Sequence, residues 1–98
     1  MRTMMRISIP VGNGNKGIQD GSLPRVIQTT LEALKPEAAY FFTEAGKRTA
    51  LVVFDLQDPS QIPVVCEPLF MGLDASIDLL PVMNAQDLQA GLGQLGKS

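Results

Sequence analysis

The chain has no histidine, no tryptophan and only one cysteine among its 98 residues. Without histidine it lacks the side chain that most often serves as a general base and as a ligand of zinc or haem iron. A single cysteine permits no disulfide within the chain. A transition-metal site would need carboxylate ligands almost alone. We therefore expect no metal site and no cofactor.

Charge of either sign is also scarce. Eight Lys and Arg residues and ten Asp and Glu residues give a net charge of −2, and only Lys47 and Arg48 are adjacent basic residues. Nucleic-acid binding needs a basic stripe that displaces counterions, so we expect no nucleic-acid partner. No apolar run approaches the length of a membrane span, and the N-terminal MRTMMRISIP lacks the apolar region of a signal peptide. We expect a cytoplasmic protein with no membrane partner.

The remaining composition is that of an ordinary globular protein. The apolar share of 45% and the length predict one domain over residues 1–98. A domain of this size leaves little room for an enclosed pocket within one subunit. The charged share of 18% is low, which suggests that a partner covers part of the surface.

Four strands are predicted from alternation and turn signals. The segment MMRISIPV at 4–11 alternates apolar and polar residues with a period of two. The segment AAYFFTEAGKRTALVVFDL at 38–56 holds two strand-like runs around the short turn EAGK, which predicts a β-hairpin. The segment SIDLLPVM at 76–83 predicts a fourth strand, which Pro81 places at a sheet edge.

Three helices are predicted between and after these strands. A stripe of apolar residues at helical spacing runs through 22–35, and the DPSQ sequence at 58–61 opens a second helix. Cys66 lies on the apolar stripe of that second helix and is expected to be a small core residue. Asn84 caps a short terminal helix, and its glycine-rich tail is expected to fray over about 92–98.

Gly12, Gly14 and Gly17 have the G-x-G-x-x-G spacing of a dinucleotide-binding loop. That fingerprint requires an unbroken helix starting at the motif, followed by a parallel strand. Here DGSLP interrupts the chain at 20–24, and the next strand belongs to a hairpin. We therefore expect no phosphate site and interpret the segment as a flexible loop. A lid that closes over a ligand is the alternative interpretation.

The predicted order is β-α-β-β-α-β with a terminal helix. This is the ferredoxin-like arrangement, an α+β sandwich with a four-stranded antiparallel sheet and helices on one face. Right-handed crossovers place the first and third strands in the middle. Alternation then places the candidate ligand-binding residues on the opposite, open face: Arg6, Ser8, Tyr40, Asp55 and Asp78. Phe42, Leu51, Val53 and Leu80 share that face and make it too apolar to remain solvated, which predicts a twofold homodimer.

On these features the sequence resembles the dimeric α/β-barrel superfamily, in which two ferredoxin-like sheets pack face to face. The strand order, the length, the hairpin at 38–56 and the following DPSQIP helix carry the resemblance, over about residues 4–83. In detail the chain looks like small bacterial proteins of that fold. The superfamily includes cofactor-independent monooxygenases, lactone isomerases and regulatory modules. It also includes haem-degrading enzymes, which rely on histidine, and other members use tryptophan, histidine or asparagine in the cleft. This chain has neither histidine nor tryptophan, so no catalytic residue of the superfamily transfers to it.

Two functional interpretations follow for the open face. In the first, Arg6 holds a carboxylate-bearing small molecule, Asp55 or Asp78 acts as a general base, and Tyr40 donates a proton to a ligand oxygen. The protein would then be a cofactor-independent isomerase or oxygenase. In the second, Arg6 pairs with one of those carboxylates, Tyr40 is a buried residue with a satisfied hydroxyl, and the face is only the dimer interface of a non-enzymatic interaction or regulatory module.

Overall fold

The computed structural model describes residues 1–96 and places four strands in one open sheet. The strands are β1 (Arg2–Ile9), β2 (Ala38–Glu44), β3 (Lys47–Asp55) and β4 (Ser76–Pro81). The helices within these residues are α1 (Val11–Asp20), α2 (Ser22–Leu34), α3 (Gln61–Leu73) and α4 (Ala85–Gly93). The predicted α+β class is confirmed. None of these helices is both long enough and apolar enough to span a bilayer.

The sheet has the strand order β2-β3-β1-β4, and all three neighbouring pairs are antiparallel. The first and third strands therefore occupy the middle of the sheet, as predicted from crossover handedness. β4 lies at an edge, as Pro81 indicated, because an edge strand can accept a residue without an amide donor. β2 forms the other edge.

Alternation along the strands separates a buried face from an open one. Met5, Ile7 and Ile9 on β1 are buried, together with Val52 and Phe54 on β3. They pack against Leu34 of α2 and against Leu69 and Leu73 of α3 in one core cluster. Residues between them on β1 and β3 point to the other side, where they remain partly or fully exposed apart from the buried Thr49. The prediction that helices cover one face is confirmed.

Residues 11–20 form the helix α1, so the prediction of a flexible loop there was wrong. The Pro10 carbonyl accepts a hydrogen bond from the Gly14 amide at 2.8 Å and starts the helix. Gly14 and Gly17 are buried, and a Cβ at Gly17 would lie 2.7 Å from Leu23 Cβ. Tertiary packing that only glycine permits here overrides its low helix propensity. The lid interpretation loses its basis too, since it required a loop.

The hairpin between β2 and β3 is confirmed, and its turn is built from two residues with positive φ. Ala45 has a φ of 53° and Gly46 a φ of 76°. Positive φ at both central residues is the type I′ pattern, whose twist matches that of the flanking strands. The turn therefore fixes the β2–β3 register that the open face depends on.

The helix α4 extends away from the sheet and the other helices. Asn84 and Asp87 form the reciprocal capping box that starts it, so the predicted cap is confirmed. All nine of its residues are exposed. The molecule measures 57 × 28 × 17 Å and has a radius of gyration of 15.9 Å, whereas a compact chain of this length has about 13 Å. The last two residues of the tail predicted to fray, 97 and 98, lie outside the described residues.

Candidate functional site

Three of the five candidate residues lie in one row across the open face. Arg6 on β1 lies opposite Asp78 on β4. On its other side Arg6 lies opposite Leu51 on β3, and Leu51 lies opposite Tyr40 on β2. Directly opposed side chains on one face have Cβ atoms about 5 Å apart. We call this line of four residues the Arg6 row.

Ser8, the fourth candidate, lies one row further along the same face. It is opposite Thr49 on β3 and Ser76 on β4, and Thr49 is opposite Phe42 on β2. The row therefore brings three hydroxyl groups together beside the Arg6 row. Thr49 is buried, and its Oγ1 donates to the Lys47 carbonyl at 3.1 Å. Sequence reasoning did not single out Ser76, although the register of β4 against Ser8 identifies it.

Asp55, the fifth candidate, lies at the far end of the open face. It is opposite Arg2 and four residues from Leu51 along β3, a distance of about 13 Å at strand rise. Its carboxylate accepts from the N-terminal ammonium at 2.5 Å and from Gln57 Nε2 at 2.6 Å. The N-terminal ammonium lowers the pKa of Asp55, with a smaller contribution from Gln57. The structure therefore does not bring Asp55 together with Arg6.

Arg6 forms its ion pair with Glu44, a residue that sequence reasoning did not consider. Arg6 Nη1 lies 2.7 Å from Glu44 Oε1, and both side chains are exposed. Glu44 ends β2 and lies on the same face as Tyr40 and Phe42 by alternation. Exposed ion pairs contribute only about 0.2–1 kcal/mol, and the guanidinium has further N–H donors. A ligand carboxylate can therefore compete with Glu44 for Arg6.

The floor around these polar groups is apolar. Tyr40 is 63% exposed and Leu80 is 50% exposed, so large apolar side chains stand in water in the single chain. The floor consists of Met4, Tyr40, Phe42, Leu51, Val53 and Leu80. An apolar patch with a few polar groups is typical of a surface that binds another molecule.

A second polar cluster lies at the end of the sheet where β1 begins. Arg2 Nε lies 2.6 Å from Glu37 Oε1, and Arg2 Nη1 lies 2.9 Å from Asp87 Oδ2. The hydrogen bond and charge of Glu37 raise the pKa of Arg2, and Asp87 adds to the effect. The cluster connects β1 to the segment before β2 and to α4. No spacing in the sequence predicted it, because the three residues are far apart along the chain.

Other candidate features lie away from the open face. A groove of about 300 Å³ separates α2 from α3 and is lined mainly by apolar residues, among them Val26, Leu34 and Val65. Cys66 is buried in the core, and burial raises the pKa of its thiol, which makes it a poor nucleophile. Within residues 1–96, no three His, Cys, Asp or Glu side chains converge as a metal-binding group.

Comparisons with known proteins identify no family for this chain, so its function has to be inferred from the residues described above. No protein-family model matches the chain, and no curated protein matches it in sequence.

Proposed function

We propose that the protein is a homodimer of ferredoxin-like subunits, with the architecture of the dimeric α/β barrels, and that it binds a small organic molecule between its two open sheet faces. The strand order with β1 and β3 in the middle supports the ferredoxin-like assignment. The one-sided helical layer supports the dimer, because the opposite face carries exposed apolar side chains that a second copy would cover.

The Arg6 row is the single observation that carries the ligand proposal. A guanidinium, a phenol and a carboxylate lie in one line on an apolar floor. A planar guanidinium binds a carboxylate in a bidentate geometry. The neighbouring Leu51 and Tyr40 provide apolar contact for a flat hydrocarbon or aromatic part. The ligand class we propose is a flat, partly apolar organic acid.

The same row supports a reaction without a cofactor. Asp78 takes a proton from the carbon next to a substrate carbonyl, once the second copy excludes water from the face. Arg6, which is next to Asp78 in the row, then stabilises the enolate oxygen. If the substrate carries a double bond conjugated with that carbon, return of the proton to the far end of the resulting dienolate completes an isomerisation. Addition of the same carbanion to dioxygen forms a C–O bond, and the proton then goes to the terminal oxygen to give a hydroperoxide.

Binding is tested by NMR titration of the full chain with benzoate as the probe acid and benzamide as the uncharged control. We expect benzoate to shift the amides of Arg6, Leu51 and Tyr40, and Arg6→Ala to weaken binding at least tenfold while light scattering still reports a dimer. Arg25→Ala, which removes an exposed cation at the α2–α3 groove, is the matched control and is expected to leave binding unchanged. Shifts confined to the α2–α3 groove, or unchanged binding by Arg6→Ala, would contradict the proposal.

The Arg6–Glu44 ion pair favours a second candidate function. Arg6 already has a protein partner at 2.7 Å, as expected if it only organises an interface. The protein would then be a non-enzymatic interaction or regulatory module. In that case Arg6→Ala would weaken the dimer, and benzoate would bind to neither the variant nor the wild type.

A further inference from the structure

The helix α4 carries an apolar stripe that its own chain leaves exposed. Leu88 and Leu92 are four residues apart, which places them on one side of α4, and Leu95 follows two residues after the helix ends. They are 45%, 56% and 74% exposed. A nine-residue helix is only marginally stable by itself in water. The stripe therefore indicates that α4 packs on a surface outside its own chain.

The exposed area of the chain matches what a second copy would cover. The chain exposes 6462 Å², whereas a compact monomer of 10.5 kDa exposes about 5,400 Å². The excess is about 1,000 Å² per chain, and a standard protein interface buries about 800 Å² per partner. A second copy of this chain is therefore the occupant that the area favours.

A complementary apolar surface lies at the β2 edge of the sheet. Phe41 is opposite Ala50 and faces the helical layer, yet it is 58% exposed because the helices stop short of β2. Beside it is a hollow of about 410 Å³ whose apolar lining includes Leu23, Pro24 and Ile27 of α2. The hollow offers leucine side chains a place to pack.

We propose that the two copies exchange their α4 helices, so that the leucine stripe of each packs against Phe41 and the α2 hollow of the other. This rests on the homodimer proposed above. If its twofold axis runs parallel to the strands, the mirrored strand order places β4 of one copy over β2 of the other. α4 follows β4 closely and starts at the end of the sheet where β2 starts. Because Phe41 faces the side of its sheet away from the partner, α4 has to pass around the β2 edge, and the linking segment 82–84 spans up to about 10 Å, the spacing of two packed sheets. The helix is about 14 Å long, enough to cover the roughly 10 Å from Ala38 to Phe41.

Paramagnetic relaxation in a mixed sample tests the exchange. A Cys66→Ala, Gln86→Cys chain carries a nitroxide label on α4 away from its leucines, and it is mixed with ¹⁵N-labelled wild type that carries none. We expect the amides of Phe41 and Leu23 in the wild-type chain to broaden, since the label reaches them only from the other copy. Gln86 is exposed, and the unlabelled Cys66→Ala chain, which changes a buried residue, is the control that must retain the wild-type spectrum.

The outcomes separate the two proposals. A dimer without broadening near Phe41 overturns the exchange and leaves the sheet dimer, and broadening at Val64 in the α2–α3 groove overturns the docking site. A monomer at all concentrations overturns both. As a second measurement, Leu88→Gln with Leu92→Gln is expected to raise the dimer dissociation constant at least tenfold. Gln86→Ala with Gln89→Ala, also on α4, is the matched control and is expected to leave it unchanged.

Discussion

Substitution of Gly17 by alanine tests the packing that makes α1 a helix. A Cβ at Gly17 would lie 2.7 Å from Leu23 Cβ, 3.3 Å from its amide nitrogen and 3.4 Å from its Cα. Carbon atoms normally pack at about 3.5–4.0 Å. The positions of these Leu23 atoms are fixed by the backbone, so no side-chain rotation relieves the clash. The helices α1 and α2 would have to move apart.

Gly12 provides the matched control, because nothing lies within 4 Å of a Cβ built there. Both substitutions gain up to about 1 kcal/mol of helix propensity. Only Gly17→Ala incurs overpacking, which costs about 1–3 kcal/mol. The free energies of unfolding should therefore differ by about 1–3 kcal/mol between the two variants. Gly14→Ala should fall between them, because its Cβ would meet the movable end of the Arg48 side chain at 2.5 Å.

Urea denaturation followed by far-ultraviolet circular dichroism measures these differences. Gly12→Ala is expected to be at least as stable as wild type and Gly17→Ala the least stable of the three variants. A difference of 1 kcal/mol corresponds to about 4–8 °C in Tm for a domain of this size. Equal stability of the Gly12 and Gly17 variants would refute the close packing of α1 on α2. It would favour the flexible loop that the composition of the segment suggests.

Three further outcomes are expected. Ala45→Asn should stabilise the hairpin by up to about 1 kcal/mol in thermal unfolding, because the left-handed conformation costs alanine roughly 1–2 kcal/mol; a loss of stability would contradict the positive φ. Asp55→Asn should lower stability to urea at pH 7. Since the folded-state pKa of Asp55 is lowered, the carboxylate stabilises the fold above about pH 4, and this stabilisation is lost as the pH falls through the folded-state pKa. The same difference in unfolding free energy between wild type and variant at pH 7 and pH 2 would contradict this. The Cys66 thiol should react with iodoacetamide at pH 8 far more slowly in the native chain than in urea, because it is buried and its pKa is raised; equal rates would show that the core opens there.

The sequence predicted the sheet well because each strand carries its own signal. The alternation in β1 assigns Met5 and Ile7 to the core, and the β2–β3 hairpin is defined by its short turn. Once two strands are paired, the period of two fixes every residue on each face. Alternation alone therefore places Arg6, Tyr40 and Asp78 on the open face, without knowledge of which residues lie opposite one another.

The rest depended on contacts between distant parts of the chain. α1 has the composition of a loop, and it is helical because Gly17 lets it approach Leu23. The pairing of Arg6 with Glu44 depends on how far an arginine side chain reaches across a neighbouring strand, which alternation does not specify. Asp55 shares a face with Arg6, but its carboxylate lies beside the N-terminal ammonium. Alternation along a strand predicts which face of the sheet a residue lies on. Predicting which residue it contacts on that face also requires the register between strands.

The chemistry of the open face depends on whether water reaches its polar groups. In the single chain, the Arg6–Glu44 pair is exposed and contributes little, so it restrains Arg6 only weakly. If a second copy covered this face, the Arg6–Glu44 pair would lose its contact with water. Every remaining donor and acceptor of the pair would then need a hydrogen-bond partner. A bound organic acid would provide a carboxylate to the remaining guanidinium donors and an apolar body to Leu51. Dimerisation and ligand binding would then favour each other, because each removes water from groups that the other satisfies. An interface without a ligand would instead have to satisfy Arg6, Tyr40 and Asp78 from the protein alone.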